Sequence, residues 1–152
     1  MSVAPNGKIL KMERRDLFVE NIIILRKNMF LPETIVGIEE LQSRIPEKLQ
    51  HWCEFGLITD LKFYHDIDDL GQDIRCIKLV LSDRDNQYRI GLYLQNVSGE
   101  IRFNAYNGFG NGFDIEDNFG KGWGKSTRYH LYSFEMDADP DIYCEKITVE
   151  LL

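Results

Sequence analysis

The chain of 152 residues is 43% hydrophobic and 28% charged, the balance of one globular domain spanning 1–152, which can bury roughly two thirds of its unfolded surface. With 18 basic against 25 acidic side chains its formal charge is −7, which repels phosphate backbones and argues against nucleic acid as a partner. The longest apolar run, Ile22–Leu25, is far too short to cross a bilayer, and Met1–Lys8 lacks the apolar centre of a secretory leader, so a cytoplasmic protein without membrane association is expected.

After a flexible start over 1–12, Phe18, Ile22, Leu25 and Met29 recur on one face of a helix predicted from Glu13 to Met29. Leu31-Pro32-Glu33 breaks it, and Ile35, Ile38, Leu41 and Ile45 mark a second helical face. Pro46 fits the first turn of a third, short helix burying Leu49, Trp52 and Cys53 and stopping at Gly56. The section 13–55 thus reads as helices covering one face of a sheet.

From Leu57 the period changes from 3.6 to 2. Leu57–Tyr64 predicts a first strand, followed by an acidic loop from His65 to Asp73. Ile77, Leu79 and Leu81, then Tyr88, Ile90, Leu92 and Leu94, alternate with polar positions on either side of the turn Asp83-Arg84-Asp85-Asn86. Asn96-Val97-Ser98-Gly99 leads to a third run, Ile101–Tyr106, and a three-stranded meander is the simplest reading. The segment 107–126 holds six of the twelve glycines, with Phe109, Phe113, Phe119 and Trp123 among them and a short strand predicted at Phe113–Glu116. Thr127–Met136 and Ile142–Leu151 complete the sheet. In the last strand Ile142 and Cys144 differ in parity from Ile147, Val149 and Leu151, so a bulge near Glu145-Lys146 is predicted to bury both sets. The fold class is α+β: N-terminal helices (13–55) on one face of a mainly antiparallel, meander-type sheet (57–152).

No spacing supports catalysis, a metal or a cofactor, and none is expected. In Gly120-Lys121-Gly122-Trp123-Gly124-Lys125-Ser126 the glycine a phosphate loop needs at position 119 is Phe119. Asp137, Asp139 and Asp141 have calcium-loop spacing, but Ile142 and Thr148 stand where glycine and glutamate belong. His51, His65 and His130 are scattered, and Cys53, Cys76 and Cys144 are odd in number and set among apolar residues, which points to buried reduced thiols. A Cys–His pair assembled only by folding stays open.

What the residues do offer is a binding surface. Residues 105–152 carry four basic against nine acidic side chains, residues 1–31 six against three. Tyr106, Phe109 and Trp123 lie beside Asp114, Glu116 and Asp117, and Asp66, Asp68 and Asp69 crowd the earlier loop. Aromatic anchors rimmed by carboxylates suit a basic protein partner, although the same rings equally suit the core at the sheet's end.

The meander Ile77–Val97, the strand into Asn104-Ala105-Tyr106-Asn107 and the closing pattern Ile142-Tyr143-Cys144-Glu145-Lys146-Ile147-Thr148-Val149 together resemble the β-rich immunity proteins of bacterial polymorphic-toxin and contact-dependent inhibition systems, most nearly the immunity protein 50 type. The likeness covers about 57–152. It implies a cytoplasmic protein that binds and neutralises one cognate toxin domain, a basic nuclease-like one on charge grounds, without cofactor or catalysis. Two alternatives are a small hydrolase or nucleotide-modifying enzyme with a site near the glycine-rich loop, marked by a metal or phosphate at His65 or His130, and an adaptor that self-associates through an exposed sheet edge.

Overall fold

The computed structural model describes residues 30–99, 112–133 and 140–152. The expected helix at Glu13–Met29 and the strand at Ile101–Tyr106 lie outside the described residues. Within them the fold is mostly antiparallel sheet with one short α-helix. Of the expected covering layer of helices over 13–55, the described part (30–55) holds one α-helix, α1 (Ile38–Arg44), and two short 3₁₀ turns at Glu47–Leu49 and Trp52–Glu54.

The four apolar residues of the second predicted helix are all buried, but only part of that span is helical. Gly37, at φ +93°, turns the chain into α1, and a Cβ there would sit 2.1 Å from the carbonyl oxygen of Val149, so only glycine fits. Beyond α1 the buried Gln50 side chain donates from Nε2 to the carbonyls of Gln42 (2.8 Å) and Ile45 (2.7 Å). Those bonds take up carbonyls that a helix end leaves unpaired, and a tertiary contact thereby replaces the third predicted helix with two turns.

Four strands, β1 (Leu57–Ile67), β2 (Asp73–Ser82), β3 (Arg89–Gln95) and β7 (Lys146–Leu151), form one antiparallel sheet in the order β1-β2-β3-β7. Three others, β4 (Phe113–Asp117), β5 (Tyr129–Ser133) and β6 (Asp141–Cys144), form a second in the order β4-β5-β6. The expectation of one meandering layer is thus corrected to two sheets. The place beside β3 that a meander assigns to 101–106 is taken by β7, with Leu92 opposite Val149. The parity change after Cys144 is not a bulge within one strand: at Glu145, whose N–H bonds the carbonyl of Gln95, the chain leaves the second sheet and enters the first. Ile142 and Cys144 are buried in the second sheet and Ile147 and Val149 in the first, while Leu151 at the end of β7 is only partly buried.

The inner face of the larger sheet presents Ile77, Leu79 and Leu81, then Ile90, Leu92 and Leu94, then Ile147 and Val149. They share one hydrophobic cluster with Phe113, Ile115, Leu131, Ile142 and Cys144 of the second sheet, and with Phe30, Ile38, Leu41, Trp52 and Phe55. Each fully buried Leu or Ile contributes roughly 1.5–3 kcal/mol. Trp52 stacks tilted on Phe30 and Phe113 at 4.6 and 6.1 Å, tying the segment after residue 30 to the second sheet. No described helix is long and apolar enough to cross a membrane. The three cysteines are free, Cys76 and Cys144 buried and Cys53 half-buried, with burial raising each thiol's pKa above its ordinary value.

Candidate functional site

The structure divides the expected site residues between two places. Asp66, Asp68 and Asp69 lie at the tip of the β1–β2 hairpin; Asp114, Glu116 and Asp117 lie on β4, and Trp123 in the loop after it. Tyr106 and Phe109 lie outside the described residues.

The hairpin is longer than its sequence pattern suggested. His65, Asp66 and Ile67, expected in a loop, continue β1, with Ile67 paired to Asp73. The turn is closed over Asp68–Gln72 by Asp68, whose carboxylate accepts N–H bonds from Leu70 (3.0 Å) and Gln72 (2.8 Å) while its own N–H bonds the carbonyl of Gln72. Asp68 is thereby spent on local structure and Asp69 is not. Around the tip Phe63, Ile67 and Leu70 expose 59%, 63% and 75% of their surfaces. β1 is the end strand of its sheet, and among the described residues no backbone group pairs with its outer edge. A long edge strand with exposed apolar side chains is an open template for a further strand, and the surrounding carboxylates set the charge it prefers.

On β4 the three acidic residues have partners within the fold. Burial pushes the Asp114 carboxyl up, against a hydrogen bond from the Ile115 N–H and the nearby His51. Glu116 Oε1 lies 3.3 Å from His130 Nδ1, whose Nε2 lies 2.8 Å from Asp141 Oδ1, so a carboxylate–imidazole–carboxylate row crosses the outer face of the smaller sheet from β4 through β5 to β6. The imidazole stacks flat on Tyr143 at 4.0 Å. Each ring nitrogen thus lies within hydrogen-bond distance of one carboxylate oxygen. Burial raises the Tyr132 and Tyr143 phenols, with further rises from the neighbouring carboxylates. Asp117, with the inward parity of Phe113 and Ile115, accepts from Arg128 Nε and Nη2 (3.2 Å each), Thr34 Oγ1 (2.7 Å) and the Phe119 N–H (2.9 Å). Burial would raise its carboxyl, but these bonds outweigh it and hold it below the usual carboxylate value. The same contact raises Arg128.

From Asp117 the chain enters a loop that returns through a single 3₁₀ turn, Lys125–Thr127, into β5. No α-helix follows the Gly-Lys-Ser run, so the turn that cradles phosphate in a nucleotide loop is not built here. Beside this loop a cavity of about 610 Å³ is lined by Thr34, Val36, Phe119, Trp123, Arg128 and Lys146, among others, with Asn118 in its wall. Phe119 and Trp123 expose 78% and 55% of their surfaces, Arg128 lies 5.0 Å from the Phe119 and Tyr129 rings, and Lys121 lies 5.5 Å from that of Trp123.

Among the described residues no group of three or more His, Cys, Asp or Glu side chains is arranged to hold a metal ion. The sequence reading did not single out Thr34, Arg128 or Asn118, and it weighed His130 and Asp141 separately without pairing them. His130 and Asp141 are eleven apart and Thr34 and Asp117 eighty-three apart, and only strand pairing and packing bring them together. The chain matches no family model, no curated protein and no solved structure.

Proposed function

We propose that the chain is a non-catalytic binding protein that docks a basic protein domain on its β1–β2 hairpin, and that the partner is a bacterial toxin domain neutralised by occupation. The observation that carries this reading is the position of β1: eleven residues in extended form, spanning about 35 Å at strand rise, at the end of its sheet with no described strand beyond it, and with Ile67 and Leu70 exposed at its turn. Backbone pairing along that edge supplies area, the apolar side chains supply anchors, and Asp66, Asp69 and Asp73 favour a cationic partner. The immunity role rests on the resemblance of 57–152 to such proteins and specifies the partner's class.

The test is a growth experiment in a bacterial host that co-expresses the chain with the toxin domain encoded beside it in its own genome. The wild type is expected to restore growth. The double variant Ile67→Lys/Leu70→Lys is expected to lose that protection while keeping its far-UV circular dichroism and thermal midpoint. Protection untouched by the double variant would remove the hairpin from the docking surface, and absence of protection by the wild type would remove the immunity role. Self-association through the same edge is disfavoured by pairing two chains of charge −7.

A further inference from the structure

The cavity beside the 118–128 loop differs in charge from the rest of the molecule. In a chain of net charge −7, its lining carries Lys125, Arg128 and Lys146 against the single carboxylate of Glu145. Arg128 is balanced by Asp117, and Glu145 accepts from Asn96 Nδ2 at 2.9 Å. Neither Lys125 nor Lys146 makes an ion pair with a described residue, which leaves two uncompensated cations on the wall. Two aromatic side chains, Phe119 and Trp123, stand exposed at the same cavity, where burial in a core would be the ordinary fate of such rings.

A third feature sits in the wall. Asn118 is only 3% exposed; its Nδ2 donates to the Thr127 carbonyl at 3.1 Å, and its Oδ1 is the one buried side-chain oxygen or nitrogen among the described residues without a partner. That oxygen lies beneath the accessible surface, so Asn118 shapes the cavity wall from behind and ties it to Thr127.

From the two cations and the two exposed rings we infer that the cavity binds a small anionic aromatic molecule, of which a nucleoside monophosphate is the simplest that presents a flat ring and a phosphate together. The ring stacks on Trp123, and the phosphate meets Lys125 and Lys146. The volume is that of small-molecule sites, roughly 300–1,000 Å³. A nucleic-acid strand fits less well, because its further phosphates would run onto an acidic protein. The binding is by side chains and not by a phosphate-cradling turn, and the site is separate from the hairpin edge.

The experiment is calorimetric titration of the full chain with adenosine 5′-monophosphate, adenosine and inorganic phosphate in parallel. The monophosphate is expected to bind more tightly than either fragment. Trp123→Ala is expected to weaken it about tenfold and Trp123→Phe to restore most of that loss, because stacking needs a ring and not an indole. Lys125→Ala is expected to weaken it about threefold, less at higher salt. No heat of binding up to ~1 mM monophosphate would overturn the proposal. So would binding unchanged by Trp123→Ala, or phosphate alone binding as well as the nucleotide. Ile67→Lys/Leu70→Lys should leave the titration unaltered, so that this site and the hairpin stand or fall separately.

Discussion

The two edges of the four-stranded sheet are treated in opposite ways. At β7 the edge is sealed: the Val36 N–H bonds the Ile147 carbonyl at 3.1 Å and the Val149 N–H bonds the Val36 carbonyl at 2.8 Å, a parallel bridge that ends the sheet. Gly37 permits that approach, and Thr34 ties the same segment to Asp117 of the second sheet. At β1, among the described residues, nothing comparable is present over eleven residues. An unsealed edge invites association, and among the described residues the two edges differ in this respect, which is the contrast the proposed docking on β1 rests on.

The largest expected effect comes from breaking the sealed edge. Gly37→Ala forces a Cβ onto the Val149 carbonyl in a left-handed conformation and is expected to cost about 3 kcal/mol, read as a lower urea midpoint with amide exchange accelerated first in β7. A cost under ~0.5 kcal/mol would mean that the bridge is not needed to close the sheet.

Next is the anchor behind the seal. Asp117→Asn removes the charge that holds Arg128 and Thr34 and is expected to cost about 2 kcal/mol at neutral pH. The folded Asp117 carboxyl lies below its unfolded value of about 3.9, so its contribution is present above that pH and is lost as pH falls through the folded value. Asp114, raised by burial, has the opposite sign: its ionisation opposes folding above its folded value, and acid relieves it. Relative to wild type, Asp117→Asn is therefore expected to be the less stable and Asp114→Asn the more favoured at pH 7, and both differences are expected to shrink as the pH is lowered toward 3. An Asp117→Asn cost as large at pH 3 as at pH 7 would show that the loss is one of shape and not of charge.

The contrast between the edges also marks what could be read from residues in a row. The alternation of Ile77, Leu79 and Leu81 with its echo in Ile90, Leu92 and Leu94 located β2 and β3, because a one-sided sheet writes its burial into a period of two. The opposed parities of Ile142/Cys144 and Ile147/Val149 were visible as well. Their cause, a change of sheet at Glu145, was not, since a bulge and a sheet switch both invert parity. The reading of 46–55 as one helix gave way to two 3₁₀ turns, where Gln50 turns inward to cap carbonyls eight and five residues away, a side-chain contact that single-residue helix propensity does not encode. At the candidate sites, Asp66, Asp69 and Trp123 were legible as exposed chemistry. The roles of Asp114, Glu116 and Asp117 were not, because each depends on a partner delivered by pairing with β5 or by packing against residue 34.

The smallest effects separate the two acidic residues at the open end. Asp68→Ala removes two N–H acceptors from the hairpin turn and is expected to cost about 1 kcal/mol, while Asp69→Ala, which no turn bond uses, should stay within about 0.5 kcal/mol. The ranking reverses in association with the toxin domain identified by the growth test. Asp69 projects only charge, so Asp69→Ala is expected to slow encounter with a basic partner at low ionic strength, by about twofold, and to have no effect at high salt. A salt-independent loss from Asp69→Ala would point to a direct, desolvated contact and place the tip of the hairpin, and not the length of the β1 edge, at the centre of the interface.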